Sequence, residues 1–177
     1  DITLKELRVA VKVGVEAYNE WMKDIRNEGK RALKYSQENN IPVMILAGRP
    51  YHTDAEIGHG IDKLANSLGF AVVSEDSISD LTETPKVNVL NQWTYHSRLY
   101  KAAEYAATHD NCQLVQLVSF GCGVDAITTD EVRELLESRG KLYTQLKIDE
   151  ITNLGAVKIR LRSLMGAMEE RKEGAKR

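Results

Sequence analysis

Ile41-Pro42-Val43-Met44-Ile45-Leu46-Ala47-Gly48 is the stretch whose reading decides the fold. An apolar run of strand length that closes on glycine reads as a strand buried on both faces, the kind that parallel sheets covered by helices require. Upstream, Leu4, Leu7, Val11, Val15, Tyr18, Met22 and Ile25 recur at steps of three and four, which is one face of a long amphipathic helix. Gly29 reads as its interruption, and a second helical stretch runs from Lys30 to Asn39. Downstream, Ile57, Ile61, Leu64 and Leu68 mark a helix, Gly69 its stop, and Phe70 to Val73 a short strand. A helix from Val87 to Ala107, a strand from Leu114 to Val118, a helix from Thr128 to Ser138 and a strand from Leu142 to Ile148 follow. Leu154, Val157, Leu161, Leu164 and Met168 mark a last helix.

Strands alternating with helices predict an α/β fold, a doubly wound four-stranded parallel sheet of flavodoxin-like or Rossmann-like type. Its simplest order is 2-1-3-4, with residues 1–40 as a long N-terminal helical extension and 41–177 as the α/β domain. The long link from Ser74 to Asn111 then carries the chain across the first strand, and the switch point falls between strands one and three. Ligands of open α/β sheets bind outside the carboxyl ends of the strands at such a point. The loops Gly48 to Glu56 and Ser119 to Asp125 become neighbours there.

The composition narrows the function classes. A chain of 177 residues fits a single core, and a formal net charge of -2 gives no sign of a nucleic-acid or membrane-surface partner. The apolar runs are too short to cross a bilayer and no signal peptide is visible, so a soluble, cytoplasmic protein is expected. Two cysteines, Cys112 and Cys122, make a disulfide framework a poor reading and a reduced compartment the better one. Because the chain opens on Asp1 and runs straight into a helical pattern, it reads as a piece excised from a longer multidomain chain.

Two loops carry the candidate chemistry. In Gly48-Arg49-Pro50-Tyr51-His52-Thr53-Asp54, a glycine after a strand, a cation and a helix start fit an anion cradle. They fit equally a rigid turn with Thr53 or Asp54 as N-cap, and the spacing matches neither a P-loop nor a dinucleotide fingerprint. His52 and His59 with Cys122 are too scattered to read as a zinc site. In Ser119-Phe120-Gly121-Cys122-Gly123-Val124-Asp125, Gly121 and Gly123 let a backbone approach closely and expose the thiol, while the following helix lowers its pKa. A thiolate there serves as a nucleophile or an iron-sulfur ligand, and the opposing reading is a small buried side chain under a turn. Cys112 precedes its strand, at the opposite end of the sheet, and reads as structural. Asp149-Glu150 and Glu75-Asp76 also reach the carboxyl edge, where such pairs are commonly caps. Trp93 and Tyr100, seven apart, are expected to face the core, with His96 and Arg98 toward the crevice or water.

Four runs carry a family resemblance: Ile45 to Asp54, Gln92 to Arg98, Ser119 to Ala126, and Lys147 to Ala156. They resemble the large activase-related proteins, or CoA-substrate-specific enzyme activases. In these an ATPase module of the 2-hydroxyacyl-CoA dehydratase activator type is joined to a region similar to the iron-sulfur dehydratase subunits. The resemblance covers nearly everything after Ile41, and the first forty residues are less diagnostic. It implies a [4Fe-4S] cluster with Cys122 as metal ligand, low-potential electron transfer to acyl-CoA chemistry, and partnership with an ATPase activator module and other domains of the parent chain. The preceding cluster cysteine falls at Ser77, a departure from the dehydratase pattern. With two cysteines this chain cannot by itself supply the thiolates of a four-cysteine cluster, so other ligands would come from sequence outside it or from another chain. No ATP-binding loop is present, so ATPase activity belongs to another segment. The rival reading is a metal-free module that docks a CoA-like anion or a partner domain through Gly48 to Glu56, with Gly48, Arg49, Tyr51 and His52 among the ligand-binding residues. A third is a Cys122 nucleophile activated by His52 or His96.

Overall fold

The computed structural model describes residues 2–119, 121, 123–148 and 153–174, apart from the side chains of residues 172 and 173. The strands β1 (Val43–Ala47), β2 (Ala71–Ser74), β3 (Cys112–Val118) and β4 (Thr144–Lys147) form one parallel sheet of order β2-β1-β3-β4. The helices are α1 (Leu4–Glu38), α2 (Ile61–Ser67), the single turn α3 (Glu75–Ile78), α4 (Thr94–Thr108), α5 (Gly123–Glu137) and α6 (Leu154–Gly174). The expected four-stranded, doubly wound α/β fold with a long N-terminal helix is therefore present.

Alternation along the inner strands divides the interior into two cores. Val43, Ile45 and Ala47 of β1, with Cys112 and Leu114 of β3, pack among Leu99, Tyr100, Ala103 and Val132 of α4 and α5. Met44 and Leu46, with Val115 and Leu117, point to the other face, among Ile61, Leu161 and Leu164 of α2 and α6. The register, with Val43 opposite Cys112 and Ile45 opposite Leu114, keeps like-facing residues side by side. Each such side chain taken out of water contributes about 1.5–3 kcal/mol, and β1 is apolar throughout.

Several expectations shift. Helix α1 passes Gly29 without a break, since at that point it crosses α3 so closely that an added Cβ would overlap the Ser77 backbone. Of its apolar stripe, Leu4, Leu7, Val11, Val15 and Tyr18 are exposed, and the buried residues of the helix begin at Met22. A helix of this length spans roughly 50 Å, far more than these short strands can cover. Helix α4 begins at Thr94 rather than Val87. Val87 and Val89 pack against the first core, and the Asn88 amide N–H is taken by Glu131 Oε2 at 3.0 Å, so an irregular segment that bends at Asn88 and Val89 fills that stretch. Trp93 consequently stands outside the helix, 49 % exposed, while Tyr100 is buried as expected. Cys112 opens β3 instead of preceding it, and α5 starts at Gly123, five residues ahead of Thr128. Gly69 does end α2, with φ of 98° that favours glycine.

The crossing at Gly29 gives a contrast between two helical glycines. Gly29→Ala should lower stability in urea unfolding by about 1–3 kcal/mol through overpacking. Gly14→Ala, with open space around it, should raise stability by up to about 1 kcal/mol through helix propensity. Equal shifts of one sign would contradict the close crossing.

Candidate functional site

The carboxyl ends of β1 and β3 lie side by side, and the loops that leave them are joined by side-chain bonds. After β1, Pro50–Thr53 forms a 3-10 turn that folds His52 back over the strand end. His52 is 1 % exposed, and a Cβ on Gly48 would overlap its ring and the Leu117 carbonyl, so glycine is required there. The Arg49 backbone N–H donates to His52 Nδ1 at 3.0 Å, which leaves Nε2 as the protonated nitrogen, 3.2 Å from Ser119 Oγ. Tyr51 Oη shares that hydroxyl at 3.0 Å. Burial, assisted by the Arg49 charge and opposed by Asp125, holds the His52 pKa below its ordinary value. His52 is therefore a neutral donor whose Nδ1 lone pair is taken by the Arg49 amide.

A second tie crosses the crevice. Arg49 Nε donates to Asp125 Oδ1 at 3.0 Å, and both side chains are largely buried. Asp125 sits in the first turn of α5, where the helix dipole favours its charge. Its Oδ2 is buried and has no hydrogen-bond partner among the described residues. His96, on α4, approaches the same pair closely enough that Asp125 and Arg49 both act on it, and burial again lowers its pKa. Its ring is stacked on Trp93, 5.3 Å between centroids and 4° between planes, with Tyr95 at 4.0 Å. Its Nε2 has no partner among the described residues.

Of the predicted site residues, the structure places Gly48, Arg49, Tyr51 and His52 in one loop that faces Ser119 and Asp125. Gly121 lies in the turn after β3 and Gly123 opens α5. Cys122 and the Asp149-Glu150 pair lie outside the described residues. Cys112 is buried at the amino end of β3, where burial raises its thiol to about 11. Ser77 is buried beneath Gly29, and its Oγ donates to the Ser74 carbonyl at 2.8 Å. Among the described residues no group of three His, Cys, Asp or Glu side chains is placed to hold a metal ion. Ser119 and Asp125 had not been singled out, although both stand in the same short run as Cys122. An aspartate in a helix first turn, facing a loop with one arginine, was the available signal.

At the end of β2, Glu75 is 2 % exposed and lies 3.7 Å from Arg98. Burial, reinforced by Asp76 and opposed by Arg98, pushes its carboxyl up to about 7. Arg98 thus connects this buried acid to α4.

The two buried groups give separate checks. At pH 7, long-range nitrogen-15 spectra should show His52 neutral with the proton on Nε2; a proton on Nδ1 would contradict the Arg49 hydrogen bond. The Glu75 proton is held to about pH 7 in the fold but only to 4.5 in the open chain, so its stabilising contribution is complete below 4.5 and lost as pH rises to 7. Relative to the wild type, Glu75→Gln should gain stability across that window by roughly 3 kcal/mol at most. Parallel pH profiles for the two proteins would rule out the raised carboxyl.

Residues 1–78 match the family model described as the CoA enzyme activase uncharacterised domain (DUF2229). No curated protein and no solved structure matches the chain. The matched stretch takes in α1, β1, the Gly48–Asp54 loop, β2 and Ser77, so the first forty residues, poor in motifs, fall within it. The match over residues 1–78 supports a CoA-enzyme-activase-related protein.

Proposed function

We propose that this domain contributes Cys122 as one thiolate to a composite iron-sulfur site of a CoA-enzyme-activase-related protein, a site completed by residues outside this chain. The observation that carries the reading is the pair of ties that bracket Cys122 in sequence. Arg49 holds Asp125 on one side, and His52 with Tyr51 holds Ser119 on the other. Ser119 and Asp125 themselves lie at the sheet's switch point, where open α/β sheets bind ligands. The described residues do not make up a four-thiolate site. Cys112 belongs to the opposite strand end and Ser77 is committed under α1, so the [4Fe-4S] cluster and its electron transfer depend on ligands from other domains or another chain.

The metal-free rival assigns the loop from Gly48 to Glu56 to an anion. Within that loop the amides of Arg49, His52 and Asp54 are taken by His52 Nδ1, the Arg49 carbonyl and the Tyr51 carbonyl. The Arg49 guanidinium lies on Asp125. That makes the loop a brace more than a cradle, and favours the thiolate reading at this site.

The test is anaerobic reconstitution of the full-length protein. Cys122→Ala should lose bound iron and its EPR signal, whereas Cys112→Ala should keep both. Unchanged iron in Cys122→Ala would sink the proposal.

A further inference from the structure

We propose that the cleft between α1 and the first turn of α4 binds a phosphate-bearing anion through Arg26, Arg98 and Lys101. The cleft has a volume of about 740 Å³ and is lined by those three cations, by Asp80, and by the rings of Tyr18 and Trp93, among others. A volume of that size falls within the range of roughly 300–1,000 Å³ typical of small-molecule sites. It is separate from the crevice around Ser119 and Asp125, and its assignment does not depend on Cys122.

Charge is the first argument. Asp80 is the acidic side chain in the lining, and Lys30 holds it at 2.7 Å. Among the described residues, no carboxylate lies within ion-pair distance of Arg26 or Lys101, and Arg98 has only Glu75, at 3.7 Å. Three cations drawn around one cavity repel one another, an arrangement that an anion relieves.

Hydrogen bonding is the second argument. Arg26 Nε and Arg98 Nε are both buried and have no hydrogen-bond partner among the described residues. A buried guanidinium N–H without an acceptor is costly, and planar guanidinium groups match phosphate oxygens with paired hydrogen bonds. The first turn of α4 adds to this: Trp93, Thr94 and Ser97 line the cleft, and the helix start has no side-chain cap. Its dipole points the positive end toward an anion placed there.

The rings bear on what carries the phosphate. Trp93 and Tyr18 are about half exposed where they border the cleft, and the Trp93 ring is already held parallel to His96. A ring held in this way is a platform for a flat heterocycle as well as a wall for an inorganic ion. Inorganic pyrophosphate and a nucleoside diphosphate share the phosphate chemistry, and titration separates them.

Isothermal titration of the full-length protein with pyrophosphate and, separately, with ADP is the experiment. Both should bind, and added salt should weaken both. Arg26→Gln and Lys101→Gln should each weaken binding about tenfold, with folding checked by circular dichroism. Lys12→Gln, on the exposed part of α1, should leave binding unchanged. Tighter binding of ADP that Trp93→Ala abolishes would assign the ligand to the nucleotide class. Equal affinities would assign the site to the phosphate groups alone, and both outcomes support the proposal. No heat with either probe, or binding indifferent to both Arg26→Gln and Lys101→Gln, would overturn it.

Discussion

Burial of β1 on both faces is the constraint from which the rest follows. Its five side chains are 0–6 % exposed, so the strand must lie inside the sheet with helices above and below. With β2 on one side and β3 on the other, the chain has to leave β1 in one direction and return on the opposite flank. That reversal opens a crevice at the carboxyl ends of β1 and β3, and the two loops with unusual composition meet there.

Within the crevice, polar groups are tied together in a setting that excludes much of the water. Removing one member of a buried ion pair strands the other, so Arg49 and Asp125 act as a unit. The His52 ring adds a neutral link whose direction is fixed by the Arg49 amide. Glu75 and Arg98 extend polar order away from the crevice toward α4. The same arginine borders the cleft beside α1, so one side chain stands between a buried acid and an open cationic cavity.

The sheet was legible because β1 is a short apolar run, β2 and β3 are mostly apolar, and strands alternate with helices along the chain. Gly48 and Gly69 were legible as strand and helix ends. The straight course of α1 was not, since Gly29 reads as a break until its close crossing with Ser77 is known. The start of α4 was misplaced because Val87 and Val89 reach the core from an irregular segment as well as they would from a helix. At the site, the loops were identified but not their bonds. Arg49 and Asp125 are 76 residues apart, and nothing local to either residue names the other. The cationic cleft was illegible for the same reason, as Arg26 and Lys101 come from helices that only the fold brings together.

The central claim is that the two loops at the switch point are one energetic unit. A double-mutant cycle with Arg49→Gln and Asp125→Asn, read by urea unfolding, tests it most directly. A coupling above about 1 kcal/mol is predicted for a largely buried pair in hydrogen-bond contact. Strictly additive effects would contradict it.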